Sequence, residues 1–241
     1  MSQFRPESIN FADNQNKIKV MQQILRQIRT DLRRSMNGVI AASMREKGLD
    51  YRMNFGVDIR RIKQISLKYA QDKTLAEILW KEDVREMKIL ATMLYPSGEL
   101  LMETANRWVR GISQQEIREQ VCKNLFQEVP YAGELVNDWI KNEDERIRTT
   151  GYWLFARLCI IHSVAVEGVE ENGLLKGAVN DLQHESMLLR QAALNALKYD
   201  GRLSPGNAAR VLDSVASFVN SDNLSEKEML DQLRFEFGVD G

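Results

Sequence analysis

The chain has 241 residues, 44% hydrophobic and 28% charged, and its 33 Lys+Arg against 34 Asp+Glu leave a formal charge of −1. That length suits one large domain or two small ones, and the composition is globular rather than disordered or fibrous. Two cysteines, Cys122 and Cys159, exclude a disulfide framework and any multi-cysteine zinc or iron–sulfur site, and no apolar run approaches the ~20 residues of a transmembrane helix. The first seventeen residues hold no apolar signal-peptide core, so a soluble cytoplasmic protein with no membrane partner is expected.

Apolar residues recur at three-to-four spacing along the chain, and alternating runs of β-branched residues are absent. This pattern predicts helices at about 15–36, 38–48, 58–71, 74–81, 83–95, 98–110, 114–127, 131–141, 144–166, 172–183, 186–199, 205–220 and 225–237. Only four prolines occur, and Pro96, Pro130 and Pro205 fall where a helical pattern stops or starts. Ser113-Gln114-Gln115-Glu116 matches a capping box, and Ser225 to Glu228 fits the same logic. Asp58 and Ser204 are further N-cap candidates, with Pro205 at a first helical position. An all-α chain of short helices follows.

An apolar-Arg pair opening a helical stripe recurs at Ile59-Arg60, Val84-Arg85, Ile117-Arg118, Ile147-Arg148 and Leu189-Arg190, at intervals of 25, 33, 30 and 42 residues. Each interval spans one helical pair. Such pairs bury a continuous core only by stacking on their neighbours, which points to an α-solenoid of HEAT-like repeats.

The near-zero charge is a cancellation. Residues 1–68 carry 14 Lys+Arg and 6 Asp+Glu (+8), whereas residues 126–241 carry 11 and 19 (−8). Arg26, Arg29, Arg33 and Arg34 are spaced along one side of a helix, and Arg45, Lys47, Arg52, Arg60, Arg61 and Lys63 follow. Such groups neutralise phosphates without reading sequence, so duplex DNA is a candidate partner; solvated helix faces and contacts to the acidic C-terminal third are the other readings. Conventional catalytic signals are few. His162 and His184 lie on separate elements without metal-ligand spacing, no glycine-rich loop follows a strand, and both cysteines sit on apolar stripes. Neither a metal nor a cofactor is implied.

From about residue 54 to residue 197 the chain resembles the HEAT-like-repeat DNA alkylation repair family, the bacterial alkylpurine DNA glycosylases and their relatives. The resemblance rests on Asn54-Phe55-Gly56-Val57 followed by Arg60 to Ile65. It rests also on Leu79-Trp80 with Val84-Arg85-Glu86 and Ile89-Leu90-Ala91. The third segment is Trp139-Ile140, the polar turn Asn142 to Asp144, and Ile147-Arg148. Residues 14–53, with Met36 to Val39 and Met44 to Gly48, look less like the well-known members and mark a divergent branch. The resemblance implies a C-shaped, single-domain solenoid, with residues 1–53 as basic helices packed on a repeat array of 54–241. It implies a cationic concave face that cradles duplex DNA, alkylated or not. Active members excise N3- and N7-alkylated purines without flipping the base into a pocket, using a carboxylate opposite the developing sugar cation and aromatic rings against the lesion.

Carried over by position, the family's catalytic aspartate aligns with Glu119, and its two cleft tryptophans align with Gln115 and Asn195. The backbone-contacting arginine is best matched by Arg148, although an ungapped count from Trp139 reaches Thr149. Trp108, seven residues before Gln115, is a candidate substitute for a missing ring. Gln115 and Asn195 hydrogen-bond but lack polarisable faces, and the longer arm of Glu119 shifts its carboxylate by over an ångström, a displacement that can cost about 10²-fold in rate. Glu119 is otherwise read as a solvated carboxylate paired with Lys123 at i+4. The leading expectation is a monomeric DNA-binding member with weak, altered or absent base excision. An active glycosylase with a rearranged cleft is the second reading, and a non-catalytic scaffold offering Glu143 to Glu145, Glu167, Glu170 and Glu171 to a protein partner is the third.

Overall fold

The computed structural model describes residues 11–239 and divides the chain into two compact units, one ending at Tyr95 and the other beginning at Pro96. The expected boundary at 53/54 falls inside the first unit. The first unit contains α1 (Phe11–Arg34), α2 (Gly38–Glu46), α3 (Ile59–Ser66), α4 (Lys73–Lys81) and α5 (Arg85–Leu94). The second contains α6 (Met102–Arg110), α7 (Gln115–Asn124), α8 (Ala132–Trp139), α9 (Glu145–Ile160), α10 (Glu171–Asp181), α11 (Met187–Gly201), α12 (Pro205–Ser214) and α13 (Leu224–Glu236). Among the described residues there is no β-strand, only a lone bridge between Met53 and Val84, and no helix is long and apolar enough to cross a membrane. Among the described residues the thirteen α-helices correspond one for one to the thirteen expected.

The first unit is organised by a buried pair of adjacent residues. Arg85 and Glu86 are 1% and 0% exposed and bonded at 2.9 Å. Glu86 accepts the backbone N–H groups of Phe55 (3.1 Å) and Val57 (3.2 Å), and Arg85 donates to the Val57 carbonyl at 2.8 Å. Buried charges of this kind persist only when paired and hydrogen-bonded. The resemblance motifs at 54–57 and 84–86 are thus two halves of one clamp. Gly56, at φ +66°, lies so close to α2 that a Cβ would sit 2.3 Å from the Asn37 carbonyl oxygen. Glycine alone combines that dihedral with that approach. Phe55 completes the junction by accepting the Asn37 N–H at 2.9 Å.

In the second unit α9 packs against α7, α8 and α11, and α11 packs in turn against α10, α12 and α13. Trp108, Phe126, Trp139, Tyr152, Phe155, Leu197, Phe218 and Leu233 fill the core, each worth roughly 1.5–3 kcal/mol or more when fully buried. Phe126 meets Trp139 edge-on with ring centres 5.1 Å apart, and the Trp139 indole donates to Asn106 at 2.7 Å. Cys122 and Cys159 are buried thiols, each pushed up to about 12 by burial, in keeping with their apolar stripes.

Local chemistry decided several helix ends. Asp58 caps α3 by accepting the Arg61 N–H, and Ser204 caps α12 with Pro205 inside its first turn, as expected. Neither predicted capping box forms. Gln114 occupies the N-cap of α7 with no side-chain bond, and Asn223, not Ser225, caps α13 by accepting the Ser225 N–H. The segment expected as a helix over 144–166 breaks after Ile160, where His162 adopts φ 50° and Ser163 donates to the Leu158 carbonyl. That left-handed closure satisfies the last carbonyls of α9 before a short 3-10 turn, Val164–Gly168.

Candidate functional site

The cations of the first unit fall into two groups. Arg26, Arg33, Arg34, Arg60 and Lys63 are exposed, and none of them forms an ion pair among the described residues. They stand outside because α1 and α3 turn Ile28, Leu32, Ile62 and Ile65 inward, leaving the intervening positions to solvent. Arg61 is held in place by donation from Nε to the Ser35 hydroxyl (3.0 Å) and from Nη1 to Gln64 (3.0 Å), which ties the start of α3 to the end of α1. Arg29 differs from the expectation of a phosphate contact, because its guanidinium already binds Glu82 at 2.7 Å. Beneath this surface Asp31, 6% exposed, accepts from Lys68 (3.0 Å) and Tyr69 (3.1 Å). Burial pushes the Asp31 carboxyl up, but the hydrogen bonds and charge of Lys68 and Tyr69 outweigh it and hold the group below its usual range. Burial and the same carboxylate push the Tyr69 phenol up to about 12.

The carboxylate candidate lies in the second unit, on α7. The half-buried Glu119 accepts a hydrogen bond from the Gln115 amide at 3.1 Å and does not form the i+4 pair with Lys123. Gln115 is itself oriented by Arg118, which donates Nη1 to the Gln115 carbonyl oxygen and Nε to the Thr150 hydroxyl of α9 (3.1 Å). Arg118 is 3% exposed, and burial lowers its affinity for a proton. The result is a relay from a buried cation through an amide to a surface carboxylate. Gln115 and Glu119 are therefore brought together, but Gln115 is engaged by its neighbours.

The remaining candidates diverge. Arg148 is 15% exposed and binds Asp181 at 3.0 Å, while its Nη1 donates to the carbonyls of Asn142 (2.8 Å) and Glu143 (3.0 Å). Its guanidinium closes the α8–α9 turn, so the residue aligned with the family's backbone-contacting arginine is engaged within the protein. Thr149, the ungapped alternative, is buried and bonds back to the Glu145 carbonyl. Arg190 repeats the Arg148 pattern one repeat later, with Nη1 donating to the carbonyls of His184 and Glu185. The Ile147-Arg148 and Leu189-Arg190 echo is thus a structural repeat of turn-closing arginines. Trp108 is 0% exposed and belongs to the core, so it lines no cleft. Asn195 is half-buried on α11 between exposed Gln191 and half-buried Lys198.

One residue escaped the sequence reading. Of the four tryptophans only Trp153 is outside the buried set. It is half-buried on α9, on a stripe with exposed Arg146 and half-buried Arg157, whose Nε donates to Gln127 at 3.0 Å. Its i−7 and i+4 relation to those arginines was the available signal. Because α9 packs between α7 and α11, an aromatic ring and a held carboxylate are presented on neighbouring helices of one unit.

A helical-repeat protein with a set of exposed cations on its first unit is the class that these features define. The chain belongs to the DNA alkylation repair enzyme family, whose model matches residues 28–225. Among solved structures, one described as "a new family of proteins related to the HEAT-like repeat DNA glycosylases with affinity for branched DNA structures" is similar with a TM-score of 0.70 and 16% identity, over 88% of this chain and 94% of that one. That likeness establishes the HEAT-like repeat fold. A designed armadillo repeat protein aligns with a TM-score of 0.42 and 11% identity, over 74% of this chain and 86% of that chain. A search of curated proteins finds no significant match.

Proposed function

We propose that this protein binds duplex DNA, with a preference for branched or distorted forms, through the cations of its first unit, and that base excision is weak or absent. The observation that carries the reading is the set of exposed Arg26, Arg33, Arg34, Arg60 and Lys63 without ion-pair partners among the described residues, in a chain of a DNA repair family. Exposed cations of this kind release counterions when they meet phosphates, so binding falls steeply with salt. The affinity for branched DNA described for the structural relative supports the finer preference. Reduced excision is supported by Gln115 and Asn195 at the cleft-aromatic positions and by the engagement of Arg148 with Asp181. Titration of linear and three-way-junction duplexes at 50 and at 200 mM salt tests the reading. Salt-sensitive binding to both, tighter for the junction, is expected; no binding at low salt sinks it.

A second reading is favoured by the relay from Arg118 through Gln115 to Glu119, which holds a carboxylate in one orientation beside the helix that bears Trp153. In that reading the chain retains slow release of 3-methyladenine or 7-methylguanine. Release from alkylated DNA that disappears in Glu119→Gln supports it, and release at background at high protein concentration removes it.

A further inference from the structure

The corner between α1 and α2 combines features that ordinary surfaces keep apart. Met36, Val39 and Ile40 are 59%, 82% and 39% exposed, within a stretch of five residues. Large apolar side chains at such exposure are unfavourable in water and, when clustered, mark an interaction site. Arg33 and Arg34, in the last turn of α1, lie just before them in the chain, and Arg61 is tied to neighbouring Ser35 at 3.0 Å. No acidic residue lies in the first turn of α2, whose N-terminal N–H groups begin at this corner.

The corner is also rigid. Asn37 accepts the Ile40 N–H through its side chain, donates its own N–H to Phe55, and abuts Gly56. Phe55 is in turn gripped by buried Glu86. An apolar tip on so firm a base does not fold back to cover itself.

We infer that Met36, Val39 and Ile40 form a wedge that stacks against the exposed base pair at a branch point in DNA while Arg33, Arg34 and Arg61 hold the flanking phosphates. This rests on the DNA-binding reading above and names the part of the surface that discriminates between DNA forms. Charge complementarity selects the occupant: three arginines at the corner that carries an apolar tip fit a polyanion with an apolar face accessible inside it. Linear duplex offers the phosphates but keeps its bases stacked, and inserting a side chain there costs unstacking energy. A junction has already met much of that cost. The wedge therefore contributes to junction binding and little to linear binding.

The test compares the full chain with the double variant Met36→Ser, Val39→Ser and with Val39→Leu, on a three-way junction carrying 2-aminopurine at the branch and on a linear duplex of equal length. Both positions are exposed, so the variants are expected to fold, which a thermal melt checks. The double serine variant should lose about tenfold in junction affinity, a magnitude typical of one lost stacking contact, with linear affinity kept within about twofold. It should also lose the change in 2-aminopurine fluorescence, and Val39→Leu should retain both. A wild-type chain that prefers junctions, with that preference unchanged in the serine variant, overturns the wedge and leaves the DNA reading standing. Wild-type chain without affinity for any DNA overturns both. Partition onto anionic phosphatidylserine vesicles that the serine variant abolishes, with junction binding unaltered, overturns the wedge in favour of a lipid surface.

Discussion

The two units of this chain treat arginine in opposite ways. In the first, 18 Lys+Arg stand against 11 Asp+Glu, and the cations of α1 and α3 largely face water. In the second, 15 stand against 23, and arginine is mostly bound to the protein itself. Arg148 holds Asp181, Arg202 holds Glu236, Arg210 holds Glu171, and Arg190 closes a turn. A guanidinium bound by an internal carboxylate has little left to offer a phosphate, whereas an unpaired one on a helix face pays no such competition. The same residue type therefore stays open to solvent in one unit and serves as architecture in the other. Equal counts in a sequence do not make equal surfaces.

Breaking the buried clamp of the first unit gives the largest expected effect. Glu86→Ala leaves Arg85 and the N–H groups of Phe55 and Val57 without their carboxylate, and the loss should be about 3–5 kcal/mol by urea denaturation. Next, Arg148→Ala should destabilise by about 2–3 kcal/mol, because Asp181 keeps only the Tyr152 hydroxyl as a donor and the carbonyls at 142 and 143 lose theirs. Its affinity for linear DNA should stay within twofold of wild type; a loss of tenfold or more would return Arg148 to the phosphate-contacting set. The double variant Arg33→Gln, Arg34→Gln should show the converse. DNA affinity falls about tenfold at low salt and the salt slope drops by up to about two, with stability unchanged within about 0.5 kcal/mol.

Two buried aspartates carry the contrast into pH. Hydrogen bonds hold the Asp31 carboxyl below its ordinary 3.8, so it contributes stability that is present above that value and lost as pH falls through its folded pKa. Asp200, 3% exposed, is raised by burial despite a hydrogen bond from Asn207, and its Oδ2 has no partner. Its stabilising contribution is present below 3.8 and lost as pH rises through its folded pKa. Asp31→Asn should thus destabilise at pH 7 and Asp200→Asn should stabilise, each on the order of 1 kcal/mol, and both effects should shrink as pH falls below 3.8. Melting curves at pH 7 and below that value check the signs, and matching signs at pH 7 break the comparison.

Helix number, order and approximate limits were readable because periodicity, proline position and caps such as Asp58 and Ser204 act within one turn. The misses share a cause. Ser113 and Ser225 satisfy a local capping rule, but the helices they would start are placed by packing elsewhere, so Gln114 and Asn223 take the position. Trp108 and Trp153 look alike as letters, yet one is enclosed and the other half-open, because their helices turn different faces to the core. Glu119 was singled out by alignment, while its hydrogen bond from Gln115, and the hold of Arg118 on Gln115 and on Thr150 of another helix, were not legible.

By itself, then, the sequence determined an all-α repeat chain, its family, and a basic front third, since all three follow from short-range pattern and motif order. Tertiary structure alone decided which cations are available to a ligand. Arg29 meets Glu82 across 53 residues, Arg148 meets Asp181 across 33, and Glu86 reaches back 31 to Phe55. Charge pairing in a stacked helical protein is settled between neighbouring elements, and short-range pattern does not say which cation meets which carboxylate.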